Sequence, residues 1–209
     1  MITIRMTGNG IRRLDEAVRV LGEGKARKAF SRAINRVGKT AGVAAGRALS
    51  DQTGLSKATG KRALTRKVDR STPATLSYTI HGQGGDIALK YFKARETRPG
   101  VSAAPWNQRR VYASSFLKAG WWPSRVAKPN WNGMVFRRAS SDGYSYNVAK
   151  GIAGRKRRGT SFEVVDSGLF IPIEMVKGQT AAAWQREGAN RLQPRIEHEI
   201  RAITKGVVS

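Results

Sequence analysis

The stretch from Lys25 to Ser50 constrains this chain most. Ala26, Ala29, Phe30, Ala33, Ile34, Val37, Ala41, Ala44, Ala45, Ala48 and Leu49 recur there at helical spacing, which draws an apolar stripe along a single long helix. The opposite face carries Arg27, Lys28, Arg32, Arg36, Lys39 and Arg47. Those cations fit a solvated face and a contact face equally well. Gly38, Gly42 and Gly46 recur every four residues along the same helix, each costing it roughly 1 kcal/mol relative to alanine. Glycines at that spacing predict that another backbone packs closely against the helix.

A shorter helix is expected before it, from Ile11, Leu14, Val18 and Leu21, ended by Gly22 and Gly24. Another should follow over Leu55–Leu64, capped by Thr53 or Ser56. Then the period changes. Leu76, Tyr78 and Ile80 alternate with Thr75, Ser77 and Thr79, the pattern of a half-buried strand. The turn chemistry of HGQGGD at 81–86 predicts a hairpin whose returning strand is Ile87–Phe92. Short strands are expected at Val101–Trp106, Ser114–Leu117, Met134–Arg137 and 161–165. A last helix should run from Gly178 to Ile203, its stripe drawn by Trp184, Gly188, Leu192, Ile196, Ile200 and Ile203, with a kink at Pro194. Helices, antiparallel strands and a closing helix give an α+β fold. The expectation is one domain over 1–209: a helical part (1–65), a small antiparallel β-sheet with long basic loops (66–177), and a terminal helix (178–209).

Charge narrows the function. The chain has 39 Lys+Arg against 14 Asp+Glu, a net charge of +25. Residues 1–72 hold 17 basic and 5 acidic side chains, residues 73–159 hold 16 and 3, and residues 160–209 hold 6 and 6. The final stretch is therefore suited to packing on protein, while the earlier parts face something anionic, with nucleic acid the usual partner. Cysteine is absent, so thiol catalysis and thiolate metal sites are excluded. No apolar run of about 18 residues is present, and the N-terminal MITIRMTGNGIRRLDEA has no signal-peptide core. A non-secreted chain without membrane spans is expected.

No enzyme signature emerges. Glu197–His198–Glu199 occupies consecutive helical positions that splay by roughly 100° each and cannot converge on one ion. His81 falls at a turn, with Asp86 the only near carboxylate to orient it. GLSKATGKR at 54–62 fails as a phosphate loop, because five residues rather than four separate its glycines and Arg62 replaces the magnesium-binding hydroxyl. A metal-dependent nuclease is the enzymatic rival, but between 70 and 160 it has only Asp86, Glu96 and Asp142 to work with. No catalytic residue, metal site or cofactor is expected.

The sharpest basic feature is AGRKRRGT at 153–160, with Arg155, Lys156, Arg157 and Arg158 adjacent between glycines. Such a loop suits a phosphate backbone without reading bases, or an acidic neighbouring protein. Arg95, Arg98, Arg109 and Arg110 are secondary candidates. Phe30, Ile34 and Val37 of the long helix, with Trp184, Leu192, Ile196 and Ile200 of the last, are the packing or interface candidates, and packing within the same subunit is favoured.

Four segments, taken in order, resemble the minor tail protein Z family of tailed bacteriophages. KAFSRAINRVGKTA is similar to its Ala-rich helix with an A-x-N-R centre, and ALKYFKARETRPGVS to its strand, basic turn and second strand. YASSFLKAG followed by NGMVFRRAS resembles its next hairpin, and LFIPIEMVKGQTAAAW its closing segment. WWPSRVAKPNW within 118–132 looks like an insertion. The resemblance implies a tail-completion protein at the head-proximal end of the virion tail, assembled in the host cytoplasm. It would form a homo-oligomeric ring (a hexamer favoured) that touches neck and tail-tube proteins and helps hold the viral genomic DNA for ejection. A sequence-nonspecific DNA-binding protein is the alternative from another class.

Overall fold

The computed structural model describes residues 1–5, 12, 15–16, 18–19, 22–121, 123–138 and 162–203. The fold is α+β, with small antiparallel sheets and long helices near both ends of the chain. It divides into two compact units: Met1–Gly85 together with Phe170–Ser209, and Asp86–Leu169. These boundaries differ from the expected 65/66 and 177/178.

The first unit is built on α1 (Glu23–Thr53). Gly22 before it (φ 77°) and Gly54 after it (φ 80°) both adopt backbone that glycine tolerates without strain. Next comes α2 (Lys57–Thr65), where the Ser56 side chain accepts a hydrogen bond from the Thr59 amide as N-cap. The sheet has the order β1 (Ile2–Arg5), β3 (Ser77–Ile80), β2 (Val68–Asp69), all antiparallel. Ile4 sits opposite Tyr78 and Ile2 opposite Ile80, so one apolar face forms across the central strand. After α3 (Ile171–Glu174) comes α4 (Gly178–Ile203), a single helical element through Pro194. Ile196 joins Ala26, Ala29, Phe30 and Ala33 in the core, with Leu192, Ile200 and Ile203 against it.

The glycine strip of α1 does allow close packing, against a strand and then a helix. A Cβ on Gly38 would lie 2.4 Å from the Tyr78 ring, and one on Gly42 would lie 3.0 Å from Ile80 Cδ1. At Gly46 it would meet the Lys61 Cα at 2.8 Å, while a Cβ on Gly60 would lie 2.6 Å from the Gly46 carbonyl. The two helices touch backbone to backbone. Gln52 fastens α4 to the end of α1: its Nε2 donates to Glu174 Oε2 at 2.7 Å, and its Oε1 accepts from the Thr180 amide and hydroxyl, both at 3.1 Å.

The second unit is built of short strands with three 3-10 turns, at Leu89–Phe92, Pro105–Asn107 and Pro129–Trp131. β5 (Arg95–Glu96), β6 (Gly100–Ala103) and β7 (Arg110–Ala113) form one antiparallel sheet. β8 (Ser115–Phe116), β9 (Phe136–Arg138) and β10 (Phe162–Val164) form another. β4 (Asp86–Ala88) pairs with β11 (Asp166–Phe170). Leu89, Phe92, Val101, Val135 and Leu169 are fully buried, and Phe116, Trp131, Phe136 and Phe162 cluster with ring centroids 5.1–6.5 Å apart.

The expected hairpin of 75–80 with 87–92 does not form. β3 takes β1 and β2 as partners, β4 takes β11, and Leu89–Phe92 is a 3-10 turn. The residues of HGQGGD instead carry the chain from one unit to the other. Arg12, Asp15, Glu16, Val18 and Arg19 of the expected first helix are helical; Ile11, Leu14 and Leu21 lie outside the described residues.

Candidate nucleic-acid interface

Arg32, Arg36 and Lys39 lie three or four residues apart on α1, so they share one side of it. α2, β2, β3 and α4 close around that side and form a cleft of about 640 Å³. Its rim carries these three cations with Lys61, Arg70 and Arg195, against one carboxylate, Glu199. Gly42, Leu64, Tyr78 and Ile80 contribute apolar lining. Arg195 Nη2 bonds Glu199 Oε1 at 2.5 Å, while its buried Nε has no hydrogen-bond partner among the described residues. The other five cations form no ion pair with any described residue. Burial raises the Tyr78 phenol above its ordinary value, and Arg70 opposes that shift.

Asn35 positions this wall. Its Nδ2 donates to the Ser71 carbonyl and its Oδ1 accepts from the Ser71 amide, each at 2.8 Å, and Ser31 Oγ donates to the same carbonyl at 2.9 Å. The segment that bears Arg70 is thereby held against α1.

A second, smaller cleft of about 200 Å³ is lined by Thr59, Arg62, Arg66, Lys67, His81 and Gln83, with Ala63 and Ile171. His81 Nε2 lies 2.6 Å from Asp69 Oδ2, so the carboxylate that orients this histidine is Asp69 and not Asp86.

The residues singled out from sequence are distributed as follows. Arg155, Lys156, Arg157, Arg158 and Asp142 lie outside the described residues. Arg95, Arg98, Arg109 and Arg110 all belong to or flank the β5–β6–β7 sheet. All four are exposed; Arg109 Nη1 donates to Ser102 Oγ at 3.2 Å, and Arg110 Nε donates to the Tyr112 hydroxyl at 2.8 Å. Phe30, Ile34, Val37, Trp184 and Ile196 are buried in the first unit, with Leu192 and Ile200 half-buried beside them.

The two described acids of the nuclease reading, Asp86 and Glu96, have structural partners. Asp86 Oδ1 accepts from the amides of Gly168 at 2.7 Å and Leu169 at 3.1 Å. Glu96 pairs with Arg125 and accepts from the Leu117 amide at 2.7 Å. Among the described residues no group of three or more His, Asp or Glu is placed to hold a metal ion, and no helix is long and apolar enough to cross a membrane.

The α1 cations stand out in the sequence by their helical spacing, whereas those of 57–70 do not. The available signal was KATGKRALTRK at 57–67, which has five cations and no acid. Arg70 and Arg195 join the cleft only through the fold. No protein-family model, no curated protein and no solved structure matches the chain, so the tail-protein resemblance stands on its sequence segments alone.

Proposed function

We propose that the chain is a non-catalytic structural subunit that contacts DNA through its backbone phosphates, as a tail-completion protein of a phage neck would. The observation that carries this reading is the wide cleft, where Arg32, Arg36, Lys39, Lys61 and Arg70 gather without an ion pair to any described residue. Convergent cations repel one another, and a polyanion relieves that repulsion while releasing its own counterions. Phosphate contacts of this kind carry no sequence information.

Exposed apolar side chains support an assembly role. Tyr91, Val111, Trp121, Val126, Phe162 and Val164 are 44–83% exposed, all within Asp86–Leu169. These side chains are available for contact with a neighbouring protein. In a ring, with six copies favoured, each cleft is repeated around the channel, and modest phosphate contacts sum to a strong hold. The partners are then other copies of the chain, adjoining neck and tail-tube proteins, and viral DNA, in the virion.

The cleft also favours a second reading, a free DNA-binding protein. Sedimentation of the full chain, with and without a duplex of arbitrary sequence, separates the two. A subunit sediments as a multiple of 22.9 kDa and gains affinity on assembly. A protomer that saturates DNA tightly and never self-associates would establish the second reading. DNA left intact with added magnesium or manganese is the expected result; cleavage would revive the nuclease.

A further inference from the structure

We infer that α2 is the element that enters DNA, lying in the major groove of a duplex with one phosphate backbone in each flanking cleft. This rests on the DNA-contacting reading and adds the element responsible and the form of the nucleic acid.

Helical geometry carries the argument. At 3.6 residues per turn, Lys61, Leu64 and Thr65 centre on one side of α2, and Thr59, Arg62, Ala63 and Arg66 centre roughly 160° away. The first set lines the wide cleft and the second lines the narrow one. Between them runs an exposed ridge of Ala58, Lys61, Arg62, Thr65 and Arg66. Behind it, Gly60 and Leu64 are buried, and the Gly60 backbone is seated on α1 at Gly46. The helix is thus fixed from the back, with a basic trough on either side of its free edge.

That shape fits a duplex. A helix with its side chains is about 10–12 Å across, and the major groove is about 12 Å wide with a phosphate backbone along each lip. A single strand would occupy one trough and leave the other empty.

Charge placement agrees. Lys57, Lys61, Arg62, Arg66 and Lys67 form no ion pair with any described residue. Lys57/Lys61 and Arg62/Arg66 are like-charge pairs four residues apart, an unfavourable arrangement within the helix itself. The helix dipole accounts for cations near the C-terminus, yet Lys57 opens the first turn, where positive charge is disfavoured. An external anion resolves both conflicts.

The test is fluorescence anisotropy on the full chain, with a labelled duplex of about 25 base pairs and its isolated strand, between about 50 and 200 mM salt. Arg62→Gln/Arg66→Gln/Lys67→Gln disables the narrow cleft and Arg32→Gln/Arg36→Gln/Lys39→Gln the wide one; circular dichroism verifies folding. The parent is expected to bind duplex at least about tenfold more tightly than single strand. Each triple variant should lose about 1–3 from the log–log salt slope, at roughly 0.9 per phosphate contact. If the narrow-cleft variant does not fold, Arg66→Gln alone should lose about one. A narrow-cleft variant that binds like the parent, while the wide-cleft variant weakens, overturns the two-backbone placement and leaves the DNA-contacting reading standing. Equal affinity for duplex and single strand also overturns the placement. No binding by the parent at low salt sinks both.

Discussion

Gly46 and Gly24 stand in the same helix but in opposite circumstances. In an exposed helix, alanine for glycine is worth up to about 1 kcal/mol, and a Cβ on Gly24 would meet nothing within 4 Å. A Cβ on Gly46 would lie 2.8 Å from the Lys61 Cα, backbone that cannot swing aside. Gly24→Ala is therefore expected to be neutral or stabilising, and Gly46→Ala to cost about 1–3 kcal/mol through forced separation of the helices, both read by urea unfolding. The sequence period showed that something comes close. It could not show that the neighbours are a tyrosine ring, an isoleucine and another glycine-bearing helix. Asp166 makes a different residue-level case. Burial, and then the Asp86 carboxylate, raise its pKa, so the folded state holds this proton more tightly than the unfolded state does. Its ionised form costs stability at neutral pH, and that cost fades as pH falls through the carboxylate range. Asp166→Asn should therefore raise the melting temperature at pH 7 and change it little near pH 3. An equal gain at both values would assign the effect to shape and not to charge.

At the scale of elements, the helices were legible and the strand partners were not. The apolar period fixed α1 and α4 because each stripe is long and is buried or half-buried along its length. The alternation of Tyr78 and Ile80 identified β3, but a period of two names no partner. The partners proved to be Ile2–Arg5, a four-residue segment, and the two-residue Val68–Asp69, both too short to register as a pattern against the nearby turn at 81–86. The docking of α4 was equally hidden, since Gln52 and Thr180 are ordinary polar residues until the fold joins them. Gln52→Ala should take one hydrogen bond from the Glu174 carboxylate and the shared acceptor from the Thr180 amide and hydroxyl, a loss of about 1–3 kcal/mol. A double-mutant cycle with Thr180→Ala should show coupling; strictly additive losses would mean that Gln52 acts through packing instead.

For the whole molecule, the charge imbalance was readable in the composition, but its site was not. Adjacency drew attention to Arg155–Arg158, whereas the cleft gathers Arg32, Lys61, Arg70 and Arg195 from both ends of the chain. Only folding makes them neighbours. The account therefore predicts that neutralising 155–158 and neutralising Arg32, Arg36 and Lys39 both leave the fold and particle assembly intact while impairing DNA retention. Particles that fail to assemble in either variant would assign that region to protein contact. The central claim, a structural subunit whose basic cleft faces DNA, is tested most directly by electron cryomicroscopy of purified phage particles that carry this chain. The account predicts a ring at the head-proximal end of the tail, with Arg32, Arg36 and Arg70 within ~4 Å of phosphate oxygens. A particle without the chain, or a ring whose cleft is filled by a neighbouring protein and turned from the DNA, would contradict it.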